Sequence, residues 1–167
     1  YLKRLTTSEH SVARALRDGG YATWHVGKWH LGGEGFMPED HGFEVNIGGC
    51  NYGSPGANGY FSPWSIPVLA DADVPKGTYL GDYLTDRAIE LIRKRDGRPF
   101  FMNFWHYDVH IPIQGKPELI AKYEAKARAR SYATQWIARQ ERAQMTKTFY
   151  YLRRSSWQSE LEKAREG

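Results

Sequence analysis

The chain has 167 residues, a formal net charge of +4, and 41% hydrophobic and 14% aromatic residues, enough to build one domain around its own core. No apolar run approaches the length of a membrane-spanning helix, which sets a membrane partner aside, and a single cysteine, Cys50, excludes an internal disulfide. The charge is uneven: residues 1–127 carry 14 Lys and Arg against 15 Asp and Glu, whereas residues 128–167 carry 9 against 4. All six histidines, all eight prolines and sixteen of the seventeen glycines lie before residue 128, so the two parts are different kinds of sequence. The sequence starts at Tyr1, not Met, and a leader ahead of it is left open.

In chain order, Thr6 and Glu9 have the spacing of a capping box, which predicts a helix with Val12, Ala15 and Leu16 on one face. Gly19-Gly20 stops it. Tyr21 to Val26 then reads as a strand. Residues 33–78, rich in Gly, Pro, Asn and Ser, read as a long excursion with short strands at most, and such loops in compact domains usually carry function. Leu80, Tyr83, Leu84, Ala88, Leu91 and Ile92 repeat at helical spacing to Arg95, and Gly97 closes that helix. Pro99-Phe100-Phe101-Met102-Asn103-Phe104-Trp105 is nearly continuous apolar sequence, as for a strand buried on both faces of a parallel sheet. Helix, strand, long loop, helix, strand predicts an α/β layered fold with a mostly parallel sheet. Residues 128–167 favour helix by composition, but their apolar positions make no continuous stripe. A basic, aromatic-bearing helix could meet nucleic acid, but a solvated or partner-covered face is the commoner case, and no nucleic-acid partner is expected.

Two loops carry chemistry. Gly27-Lys28-Trp29-His30 follows the first strand, and its ammonium and imidazole, two residues apart between glycines, suit a tetrahedral oxyanion. The plainer reading is an exposed lysine and a packed histidine. His110-Ile111-Pro112 follows the second strand, and ligands of open parallel sheets gather beyond strand carboxyl ends. His106 and His110, four apart, would suit zinc only on a helix, which Pro112 argues against. His25, inside a strand, reads as a packed or hydrogen-bonded histidine. His41 lies in a turn and His10 on the polar face of the first helix, neither with a partner visible in sequence.

The segment Gly20-Tyr21-Ala22-Thr23-Trp24-His25-Val26-Gly27-Lys28-Trp29-His30-Leu31-Gly32 closely resembles the second signature of the formylglycine-dependent (type I) sulfatases, Gly-Tyr-x-Thr-x-x-x-Gly-Lys-Trp-His-Leu-Gly. The His-x-Pro motif after the Pro-Phe-Phe strand resembles the same family. So do Gly42-Phe43, the run at residues 59–63, Tyr79-Leu80, Leu84-Thr85-Asp86 and Pro117-Glu118-Leu119-Ile120, in the manner of bacterial polysaccharide sulfatases. The likeness covers roughly residues 5–127.

The resemblance implies an alkaline phosphatase-like sulfatase fold, here incomplete: residues 1–127 as a partial catalytic domain and 128–167 as a helical C-terminal tail that does not match. It implies that Lys28 neutralises sulfate oxygens, that His30 bonds the formylglycine hydrate and moves its proton, and that His110 binds sulfate and assists the leaving oxygen. The expected substrate is an aryl or carbohydrate sulfate ester such as that of a sulfated polysaccharide, and the family suggests a periplasmic or secreted setting. The expected cofactors are calcium and a formylglycine made from cysteine in Cys-x-Pro-Ser-Arg. Cys50 lacks that context, no Asp-Asn dipeptide of the calcium-binding kind occurs, and the chain reads as an internal, inactive piece of a sulfuric-ester hydrolase. Two other readings stay open: a phosphoester hydrolase of the alkaline phosphatase superfamily, and a noncatalytic anion-binding protein.

Overall fold

A computed structural model describes residues 4–128. The chain divides into two compact units, residues 1–116 and 117–167. The first is built on three parallel strands: β1 (Ala22–Gly27) lies between β2 (Val45–Ile47) and β3 (Phe100–Trp105). Helix α1 (Val12–Asp18) precedes β1, and α2 (Leu80–Arg93) precedes β3. Helix α3 (Pro117–Arg128) belongs to the second unit and carries an i,i+4 ion pair between Glu124 and Arg128 at 3.3 Å. The helical tail expected over 128–167 lies, beyond Arg128, outside the described residues.

Alternation along β1 sorts the core into two layers. Val26 faces a cluster containing Leu80, Leu84 and Ala88 of α2, with Tyr60, Trp64, Ile66, Leu69 and Tyr107 from the loops, and Met102 and Phe104 of β3 pack against it. The other cluster joins Ala13 of α1 to Trp29 and Phe43, with Phe101 packed against it. A parallel sheet with apolar clusters drawn from α1 and α2 is the layered α/β fold the sequence predicts.

Three expectations need correction. Ser11, not Thr6, caps α1: its Oγ accepts from the Arg14 N–H at 3.0 Å, while Thr6 uses its hydroxyl on Ser8. The helix consequently starts late, buries Ala13, and leaves Val12 62% exposed; His10 precedes the helix instead of lying on it. Second, β1 runs one residue later than Tyr21–Val26 and α2 ends two residues before Arg95. Third, β3 is only partly buried, with Phe100 and Trp105 exposed. It stands at the edge of the three-stranded sheet, with no strand on its far side among the described residues.

Residues 33–78 form the predicted excursion. They hold β2, two short 3-10 turns (Pro38–His41 and Pro67–Leu69), and a single bridge from Phe61 to Tyr79. This stretch brings Gly48, Cys50 and Tyr60 to the carboxyl end of the sheet, where they meet the two motif loops.

Candidate active site

The β1–β3 ladder runs in register to its last pair, Gly27 opposite Trp105, and the Lys28 N–H then donates to the Trp105 carbonyl at 2.7 Å. The Lys28/His30 loop and the loop leading to His110 therefore leave neighbouring strands at the same level, on the edge where parallel sheets collect ligands. Gly27 has φ 102°, and a Cβ there would collide with the Trp105 carbonyl, so this close approach requires glycine.

Trp29 anchors the first loop. Its ring is 5% exposed, its Nε1–H donates to the Phe36 carbonyl at 2.8 Å, and His25, His41, Phe43 and Trp105 surround it at ring-centre distances of 5.2 to 6.2 Å. With Trp29 turned inward, Lys28 is half-buried and His30 is exposed. His30 has φ 59°, a left-handed conformation that costs a non-glycine residue energy and that clusters at functional sites. Its N–H donates to the Cys50 carbonyl at 2.9 Å. Its ring lies against Gly53, where any Cβ would come within 2.7 Å of Nδ1.

The second loop is tied by tyrosines. Tyr107 is buried, and its hydroxyl donates to the Gly48 carbonyl at 2.8 Å, with Cys50 Sγ 3.9 Å away. The 48–50 turn thus receives both loops, one through His30 and one through Tyr107. The Tyr60 hydroxyl lies 2.7 Å from the Tyr107 carbonyl and 2.9 Å from the His110 carbonyl. Gln114 closes the arrangement by accepting from the Tyr60 N–H at 2.8 Å. His110 itself is exposed. The Tyr79 hydroxyl donates to Asp108, whose other oxygen is 3.8 Å from His106 Nδ1. Burial, followed by the Asp108 charge, pushes the Tyr60 hydroxyl up to about 12; burial likewise raises Tyr79 and Tyr107 above the usual phenol range. All three hydroxyls therefore stay protonated at neutral pH and serve as donors.

His25 is fully buried and packed, as its place inside a strand predicts. Nε2 lies 3.1 Å from the Gly27 carbonyl and Nδ1 3.1 Å from the Asn103 amide nitrogen. A carbonyl can only accept, so Nε2 carries the proton and Nδ1 accepts from Asn103. Burial lowers its pKa to about 4 despite the backbone hydrogen bonds, so the ring is neutral. His41 is also buried, its ring nitrogens have no protein partner, and burial followed by the Arg14 charge lowers its pKa.

Among the described residues no group of three or more His, Cys, Asp or Glu side chains gathers in a way that could hold a metal ion. Cys50 is 3% exposed, and its sulfur accepts from the Tyr52 N–H at 3.4 Å, which suits a small packed residue better than a nucleophile. Sequence reasoning missed the tyrosine ties. Tyr60 lies within a run that resembles the family, but nothing in its spacing shows that it reaches a loop about fifty residues away.

Comparison with known proteins identifies the family. The Sulfatase family model matches residues 1–155. The chain is 30% identical over 139 residues to N-acetylgalactosamine-6-sulfatase of Mus musculus, covering 70% of this chain and 25% of that protein. It is 26% identical over 147 residues to arylsulfatase G of the same organism, covering 69% and 28%, and 33% identical over 91 residues to human arylsulfatase G, covering 52% and 17%. The chain spans 17% to 28% of the length of these relatives. With a family match across most of its length, the chain belongs to the Sulfatase family.

Proposed function

We propose that this chain supplies the sulfate-gripping part of a sulfuric-ester hydrolase acting on an aryl or carbohydrate sulfate, with Lys28, His30 and His110 as its working residues. The carrying observation is the shared level at which the two motif loops leave β1 and β3, fixed by the Lys28 N–H on the Trp105 carbonyl. Lys28 brings a fixed positive charge to the sulfate oxygens, where negative charge grows as the ester bond breaks. His30, exposed beside it, holds or moves a proton at the attacking oxygen, and His110 does so at the leaving oxygen.

Lacking a formylglycine precursor and a calcium ligand set in the described residues, the chain by itself does not turn over an aryl sulfate. The attacking nucleophile and the calcium belong to segments outside this chain, which we read as an internal piece of a longer, exported sulfatase. Calcium-dependent hydrolysis of an aryl sulfate by the purified chain would overturn that reading. Calorimetric titration with sodium sulfate tests the grip itself: Lys28→Ala, and separately His30→Ala and His110→Ala, each weaken binding about tenfold, the worth of one charge-assisted hydrogen bond. Equal affinity in the wild type and all three variants would contradict the assignment.

A further inference from the structure

His25 lies outside the trio that grips sulfate, yet it touches the peptide unit from which Lys28 projects. That unit is pinned at both ends: its carbonyl, from Gly27, accepts from His25 Nε2 at 3.1 Å, and its N–H, from Lys28, donates to Trp105 at 2.7 Å. A glycine at φ 102° lets its following peptide tilt at little steric cost, so the Trp105 hydrogen bond at the N–H end leaves the carbonyl end some freedom. The imidazole removes that freedom. Asn103, its partner across the ladder in register, fixes the ring's tautomer by donating to Nδ1 at 3.1 Å. The turn after β2 is shaped around the same ring, since a Cβ on Gly49 would come within 2.6 Å of His25 Cδ2. Trp29, Phe43 and Trp105 wall it in with their edges, and the ring has no solvent exposure.

We propose that His25, held by Asn103, is a positioning residue that locks the Gly27–Lys28 peptide plane and thereby aims the Lys28 ammonium at its anion. This inference rests on the sulfate-gripping role given above to Lys28, and the experiment separates the two.

Amide hydrogen exchange of the full 167-residue chain is compared with His25→Phe, which keeps an aromatic ring and loses both hydrogen bonds, and with His25→Gln, which can restore both. Asn103→Leu removes the tautomer-fixing partner without touching His25, and serves if the phenylalanine variant does not fold. We expect exchange at the Lys28 and His30 amides to rise about tenfold in His25→Phe or Asn103→Leu, the cost of one buried hydrogen bond. Exchange at Leu84 and Ala88 of α2 stays unchanged, and His25→Gln returns Lys28 towards the wild-type rate. Sodium sulfate affinity falls in step with the Lys28 exchange change. Unchanged Lys28 exchange, a rise spread evenly over the sheet, or full sulfate affinity in His25→Phe would overturn the proposal. A wild-type chain that binds no sulfate while its Lys28 amide still responds to His25 would overturn the anion-gripping role of Lys28 instead.

Discussion

At the scale of single residues, two buried histidines set how the chain responds to acid. His25 is neutral with a pKa near 4 in the fold and about 6.5 when unfolded. The unfolded chain therefore binds more protons between those values, and stability present above pH 6.5 is lost as pH falls towards 4. For His25 alone the loss reaches about 3 kcal/mol at the acid end of that window, and His41, lowered by burial and by Arg14, acts in the same direction. Urea unfolding at pH 7 and pH 4.5 checks this: the wild type loses more stability between the two than His25→Phe does. An identical pH response would remove His25 as a cause. Gly53 offers a second residue-scale test. Gly53→Ala pushes a methyl into the His30 ring, so sulfate binding weakens several-fold while the melting temperature changes little, because the ring it meets is exposed. A wild-type affinity in that variant would show that the ring position does not matter.

At the scale of elements, the long, periodic or strongly apolar segments were legible in the sequence and the short, capped ones were not. Helix α2 follows its 3.6-residue pattern, and Leu80, Leu84 and Ala88 are buried as that pattern requires. Helix α1 has only seven residues, too few for a pattern to outweigh its cap, and that cap is Ser11. Ser11 prevails because its hydroxyl meets both the Arg14 N–H and the His41 carbonyl, a contact about thirty residues away that no local pattern reveals. Ser11→Ala should cost about 1 kcal/mol, and Thr6→Ala almost nothing, by thermal melting; the reverse order would restore the capping box. Leu84→Ala, at a fully buried position, should cost 2 to 5 kcal/mol, roughly the range for deleting a core leucine. The β3 run is nearly all apolar yet half-exposed, because apolar sequence reports what a strand can bury and not what lies beside it here.

For the molecule as a whole, the shared level at which the two motif loops leave the sheet was legible because one topological rule carries it: two motifs following neighbouring parallel strands must emerge at one sheet edge. What holds the two loops there was not legible. The ties run through Tyr60, Tyr107, Cys50 and the 48–50 turn, contributed by the long excursion, and they join residues tens of positions apart. The chain accounts for about a quarter of the length of its relatives. The most direct test follows the imidazole resonances of His30 and His110 during titration with sodium sulfate. One shared site predicts that both move with a single dissociation constant and that Lys28→Ala raises that constant about tenfold for both together. Two unrelated constants, or a constant unchanged in Lys28→Ala, would contradict a common sulfate site.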